Sequence, residues 1–282
     1  MQFEEGKRLS EFSTLAIGGP ARYFIEISSI EKMQEVLAYC HRENLEFIVI
    51  GKGSNCLFDD RGFDGLCILN KIAFCKYENE RVHVGAGYSF SLLGTQTARK
   101  GWAGLEFASG IPATVGGAIY MNAGANGAET KDFLKEVSYV TEEGKLVELA
   151  KEEITFSYRF SSFQQMRGAI VAATFILTPS QEARKKQIDI IDYRTRTQPY
   201  SDKSAGCVFR NPASTTAGYL IEKCGLKGAR IGGAEVSLVH ANFIVNKGGA
   251  TALDVLELAE LVRKTVAEKT GIHLEMEVRQ IS

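Results

Sequence analysis

Residues 107–128, FASGIPATVGGAIYMNAGANGA, hold five glycines and two asparagines and not one charged residue, in a chain that is 24% charged. The length of this run raises a membrane span. Pro112, Gly116-Gly117, Asn122, Gly124 and Asn126 would leave a helix there weak and wetted, so the span is rejected. What remains is a loop-rich segment whose backbone comes close to something, because glycine removes the Cβ that would block the approach.

Composition narrows the classes. With 282 residues the chain can bury more than one core, and two or three lobes are expected. Lys+Arg at 33 against Asp+Glu at 34 gives a net charge of −1, which argues against a nucleic-acid partner or a basic one. Six cysteines form no CxxC pair and accompany only four histidines, so no zinc site is expected. The start, MQFEEGKRLS, lacks the apolar core of a signal peptide, and the apolar run at 169–177 is too short to cross a bilayer. The expectation is a cytoplasmic protein with free thiols and no membrane partner, and a monomer.

Ser28-Ser29-Ile30-Glu31 reads as a capping box with Ser28 as N-cap, opening a helix that ends near Asn44. Phe47–Ile50 reads as a short buried strand that runs into Gly51-Lys52-Gly53-Ser54-Asn55. Neither dinucleotide fingerprint is met, because no helix, third glycine or GK[ST] follows. Later signals are strands at 66–69 and 82–84, a helix at 91–100 closed by Gly101, and a hairpin of 137–141 and 146–149 about Glu143-Gly144. A strand at 169–177 and a polar helix at 181–194 come next. Beyond Gln198-Pro199 the reading is a strand-like start at 206–209, a helix at 217–224 and a strand at 242–245. A helix at 253–269 capped by Thr251 and ended by Gly271, and a closing strand at 274–279, complete the chain. Short strands with separate helices argue for an α+β fold rather than a doubly wound sheet. The expected division is residues 1–180, in two α+β subdomains of about 1–70 and 71–180, and a C-terminal lobe of 181–282.

Two glycine-rich loops entered from apolar strands can offer converging backbone N–H groups, a nest that binds a diphosphate without a lysine. The uncharged run also suits a bulky cofactor with an aromatic ring system. A tight structural turn with a glycine-rich packing surface explains the same composition, and both readings stand at this level.

The order of segments is more specific. TLAIGGPA from Thr14, GKGSN from Gly51, GIPATVGGA from Gly110, MNAGA from Met121, Tyr158-Arg159, GCVFRNP from Gly206 and LEMEVR from Leu274 occur in series. Together they resemble the UDP-N-acetylenolpyruvoylglucosamine reductases, flavoenzymes that make UDP-N-acetylmuramate for peptidoglycan. The resemblance runs from about Ser13 to Ile281.

It implies an FAD-binding half of two α+β subdomains similar to the vanillyl-alcohol-oxidase type, and a smaller α+β lobe for the UDP-sugar substrate. It implies non-covalent FAD, with Gly51, Gly53, Ser54, Asn55, Gly110, Ile111, Pro112, Thr114, Val115, Gly116, Gly117, Asn122 and Gly124 along the cofactor. It further implies that NADPH would reduce the flavin and leave before the enolpyruvyl substrate binds. Hydride would then pass from flavin N5 to C3 of the substrate, and a proton would reach C2. Arg159 and Glu277 match the catalytic arginine and glutamate, and Tyr158, Lys203, Arg210 and Asn211 are candidates for substrate contacts.

This chain departs from the family pattern in three places. Cys207 stands where many relatives have a proton-donating serine; a thiol, with an ordinary pKa of about 8.5, is a competent general acid. The segment between Arg159 and Cys207 has no room for the insertion that supplies longer relatives with a tyrosine over the substrate diphosphate. Thr197 replaces a frequent lysine, with Arg196 beside it. Two other readings are an FAD-dependent oxidase of the same wider fold and a non-enzymatic nucleotide-binding regulatory module. His41, His83, His240 and His273 lie outside the glycine loops, which argues against a histidyl flavin link.

Overall fold

Gly168–Ile176 runs as one nine-residue strand with seven successive residues buried. A run so continuously apolar needs cover on both faces. The strand is the centre of a five-stranded antiparallel sheet, in the order Leu146–Ala150, Leu134–Thr141, Gly168–Ile176, Arg81–Gly85, Cys75–Glu78. Helix α1, Ile30–Arg42, packs against its two central strands. Helices α2, Phe90–Arg99, and α3, Val115–Tyr120, share a separate core with it, built from Val84, Phe90, Leu93, Val115, Ile119, Val137 and Phe175. This architecture is that of a computed structural model describing residues 1–282.

The chain forms two compact units. The first takes residues 24–52 and 65–194, and the second takes 2–23, 53–64 and 195–282. A single cut near residue 180 therefore does not describe them. Two N-terminal segments belong with the C-terminal residues because their apolar side chains do: Leu15, Ile17 and Leu57 lie in one buried cluster with Val208, Leu220, Leu258 and Val262. Cys56–Phe58 also pairs in parallel with Arg279–Ile281. The last crossing falls inside α4, Ala183–Thr197.

The second unit holds a four-stranded antiparallel sheet, Lys203–Cys207, Phe243–Asn246, Ala234–Val236, Arg230–Ile231, with α5, Ala217–Lys223, and α6, Ala252–Thr270. The ends of α6 are written in its sequence. Thr251 Oγ1 accepts from Asp254 N at 3.0 Å while Asp254 Oδ2 accepts from Thr251 N at 3.0 Å, and Gly271 closes the helix at φ 72°. Val255, Leu258, Ala259, Val262 and Val266 form its buried face. Separate helices with sheets that are antiparallel in the main and parallel at a few pairs make the fold α+β, as the sequence indicates. No helix is long and apolar enough to cross a membrane.

Three local expectations change. The N-cap of α1 is Ser29, whose hydroxyl accepts from Lys32 N at 3.2 Å, so Glu31 sits too early to complete a box. Within residues 107–128 the chain forms α3 rather than loop alone, with Thr114 as its cap. Only Arg279–Ile281 of the C-terminal stretch is a strand; residues 274–278 are irregular apart from a bridge between Phe209 and Met276.

Leu258 is fully buried on α6. Leu258→Ala is expected to lower stability by about 2–5 kcal/mol in urea unfolding, through lost burial and the cavity left behind.

Candidate active site

Phe47–Ile50 pairs in parallel with Phe63–Asn70, Ile50 opposite Leu69, and delivers the chain to Gly51. The strand Cys56–Phe58 follows the glycine loop where a dinucleotide fold would place a helix. Gly51 packs directly on the Thr114 side chain, and a Cβ there would overlap the Thr114 hydroxyl. The two glycine-rich segments therefore meet at this point in the first unit. Gly53 has φ 61°, and a Cβ on it would collide with the carbonyl of Phe12. Backbone N–H groups of Lys52, Gly53, Ser54 and Asn55 donate to no protein oxygen. Lys52 Nζ reaches Ser89 Oγ at 3.3 Å. Unused N–H groups on a glycine loop are what anion binding requires.

Residues 110–117 behave differently. Gly110 N donates to Ser91 Oγ at 2.7 Å, Val115 N to Tyr88 O at 2.9 Å and Gly116 N to Ala86 O at 2.8 Å. Ile111 N bonds Ala108 O at 3.0 Å and Gly117 N bonds Thr114 Oγ1 at 3.3 Å. The expectation that both loops present N–H groups thus fails for this one, because the fold has already used them. What the segment offers is a tightly packed surface with Pro112 and Gly117 exposed. Arg194 on α4 holds it by donating to Gly110 O at 3.2 Å. Thr14 Oγ1 in the second unit and Ser109 Oγ in the first, each next to one of these loops, are buried hydroxyls without a protein partner.

Tyr158 and Arg159 are the two turn residues between Phe156–Ser157 and Phe160–Ser161. Arg159 is left-handed, φ 56°, and its guanidinium stands 5.0 Å from the centre of the exposed Tyr158 ring. Gln164 Nε2 donates to Arg159 O at 3.1 Å and to Tyr120 O at 2.9 Å, and Ser161 Oγ donates to the same Tyr120 carbonyl at 2.7 Å. Asn122 is fully buried. Its amide donates to Ser157 O at 3.0 Å and Glu129 Oε2 at 3.1 Å, and its oxygen accepts from Lys131 N at 3.1 Å. Its hydrogen-bonding capacity is thus directed into the protein. Gly124 lies in a short pair with Ala128–Glu129.

In the second unit, Cys207 ends its strand opposite Phe243, after a register shift from Ser204. Glu277 N donates to Val208 O at 2.7 Å, which sets Glu277 beside the residue that follows Cys207. Asn55 ties the glycine loop to this pair: its side-chain nitrogen donates to Glu277 O at 3.2 Å, and its carbonyl accepts from Arg279 N at 3.0 Å. These bonds fix the main chain on both sides of Val278, where it bends. Arg279 was not singled out from sequence. The neighbouring Cys56 thiol is pushed up to about 11 by burial, partly offset by the Arg279 charge, and stays protonated near neutrality. Arg210 approaches Glu275 at 3.9 Å, and its Nε is buried without a partner. Asn211 Oδ1 accepts from Ala217 N at 3.0 Å, a local cap ahead of α5. Lys203 is exposed at the other end of the Cys207 strand, opposite Asn246.

Comparison with known proteins finds two matching family models. Residues 21–150 match an FAD binding domain, and residues 198–281 match the C-terminal domain of UDP-N-acetylenolpyruvoylglucosamine reductase. The UDP-N-acetylenolpyruvoylglucosamine reductase of Protochlamydia amoebophila is 58% identical over 99% of this chain and 94% of its own length. That of Chlamydia trachomatis serovar D is 48% identical over 99% and 96%. The crystal structure of the UDP-N-acetylenolpyruvylglucosamine reductase from Thermus caldophilus superposes with a TM-score of 0.86 at 36% identity, over all of both chains. With matches of this identity over nearly its whole length, the chain belongs to the UDP-N-acetylenolpyruvoylglucosamine reductase family.

Proposed function

We propose that this chain is an FAD-containing, NADPH-dependent reductase that turns the enolpyruvyl ether of UDP-N-acetylglucosamine into UDP-N-acetylmuramate, a step in peptidoglycan precursor synthesis. The observation that carries the reading is the pairing of Glu277 N with Val208 O, next to Cys207, in a chain 58% identical to such a reductase. The residues suit FAD: unused N–H groups at 52–55, a close contact of Gly51 with Thr114, and unpartnered hydroxyls on Thr14 and Ser109. FAD, when bound, supplies a two-electron carrier that accepts hydride from NADPH and hands it to substrate.

The chain's own residues answer the demands of the substrate. A double bond conjugated with a carboxylate takes hydride at C3 only if the negative charge spreading from C2 into the carboxylate is stabilised. Arg159 faces that carboxylate. Glu277 in its acid form donates a hydrogen bond to the developing enolate. Cys207 gives its S–H proton to C2, the new C–H bond forming as S–H breaks, and the thiolate recovers a proton from water. Tyr158, Lys203, Arg210, Asn211 and Arg279 serve the nucleotide and carboxylate ends of the substrate, with Arg196 as the basic group near Thr197.

Purified protein is expected to be yellow, to release FAD on denaturation, and to oxidise NADPH only when the enolpyruvyl sugar nucleotide is present. Rapid NADPH oxidation by oxygen alone would instead mark an oxidase, and failure to bind FAD a regulatory module. Cys207→Ala is expected to lose on the order of 100-fold or more in substrate turnover, a typical share for a general acid, while flavin reduction by NADPH proceeds normally. Cys207→Ser should keep much of the turnover. Near-normal turnover by the alanine variant would remove Cys207 from the mechanism. Gly51→Ala, which forces Thr114 away, should weaken FAD binding by about tenfold or more in a flavin-fluorescence titration, the effect of roughly 1.4 kcal/mol of lost contact.

A further inference from the structure

The hairpin that carries Arg159 has no rigidity of its own: two residues on each side, Phe156–Ser157 and Phe160–Ser161, joined by a two-residue turn. So small a hairpin is not stable alone. Its turn also holds Arg159 at φ 56°, a conformation that disfavours a residue with a Cβ. A turn of this kind keeps one geometry only if its carbonyls are held from outside.

The last turn of α3 does the holding. A helix end leaves carbonyls without intrahelical partners. Tyr120, the last residue of α3, offers one, and Gln164 Nε2 and Ser161 Oγ both donate to it, at 2.9 and 2.7 Å. Asn122 grips the hairpin at Ser157 O, at 3.0 Å. Gln164 reaches Arg159 itself, donating to its carbonyl at 3.1 Å, with Met121 Sδ at 3.8 Å alongside. A primary amide has two N–H bonds, and here two carbonyls receive them.

We infer that Gln164 is a positioning residue for Arg159: its amide bridges Tyr120 O and Arg159 O, fixes the peptide plane after Arg159, and so sets the direction of the guanidinium. The inference rests on the proposed role of Arg159 toward the substrate carboxylate. A misplacement of about 1 Å in such a group is enough to cost a large factor in rate. The chemistry asks for a donor at this point. A glutamate has the same shape but would set its lone pairs against two carbonyl oxygens, whereas a lysine carries N–H donors to the same reach.

The test uses the FAD-loaded, full-length enzyme with Gln164→Met, Gln164→Glu, Gln164→Lys, Arg159→Ala and the double variant Arg159→Ala/Gln164→Met. Gln164→Met and Gln164→Glu are expected to lower substrate-dependent kcat on the order of 10- to 100-fold. Flavin reduction by NADPH without substrate should be unchanged, and the calorimetric affinity for UDP-N-acetylmuramate should fall. Gln164→Lys should recover most of both. In the Arg159→Ala background, Gln164→Met should cost nothing further, since its effect passes through the arginine. Should Gln164→Met not fold, the contrast between the glutamate and lysine variants carries the same weight. Full turnover by Gln164→Met or Gln164→Glu, no recovery by Gln164→Lys, or an equal extra loss in the Arg159→Ala background would overturn the inference. Normal turnover by Arg159→Ala would overturn the role of Arg159 and the clamp with it, whereas a crippled Arg159→Ala beside a fully active Gln164→Met would overturn the clamp alone.

Discussion

Carbonyl groups at the end of a helix must find donors, and in α3 those donors come from the segment that carries Arg159. Ser161 and Gln164 meet the carbonyl of Tyr120, and the fully buried Asn122 reaches across to Ser157 O. Leaving such a buried amide unpaired would cost about 1–3 kcal/mol, so its partners are under strong pressure to stay where they are. At its other end α3 begins on Thr114, whose side chain packs on Gly51. Six residues therefore connect the glycine loop to the arginine turn within one unit. This explains why the backbone N–H groups of the segment are occupied: a strut must be fastened along its length before it can hold anything else.

Asn55 plays a comparable part in the other unit. Its side chain takes the carbonyl of Glu277, and its own carbonyl takes the N–H of Arg279. The main chain is thereby fixed on both sides of Val278, at the bend between Glu277 and Arg279. One side-chain amide and a few backbone hydrogen bonds thus hold the backbone that carries a carboxyl and a guanidinium. The glycine loop contributes Asn55 to this arrangement while its own N–H groups stay unused.

The parts of the fold legible in the sequence were those whose causes are local. The apolar spacing and the terminal signals Thr251 and Gly271 marked α6 to within a residue, and Phe47–Ile50 was bounded by its own composition. Tandem serines misled by one position, since either residue can cap and only the end of the preceding strand decides. Helix α3 was hidden because Gly116-Gly117 lowers helix propensity by about 1 kcal/mol per glycine. Its contact with Ala86 needs that lack of bulk, and sequence alone does not contain the contact. The proposed site was legible in the sequence only as motif matches, at Arg159, Cys207 and Glu277. It was not legible at Gln164, whose importance is a matter of reach to carbonyls of residues 120 and 159 rather than of residue pattern. The division into units was the least accessible feature, because it depends on pairing Cys56–Phe58 with Arg279–Ile281 at the far end of the chain.

That last pairing also bears on how the molecule is made. Leu15, Ile17 and Leu57 leave the ribosome long before the partners that bury them, which include Leu258, Val262 and Leu274. The first unit has all its residues by position 194, whereas the second needs residues 195–282 to close. Until those are made, the nascent chain carries the three early apolar side chains without this cover. Their shelter arrives only with α6 and the residues around it, so the two units can close in succession rather than together.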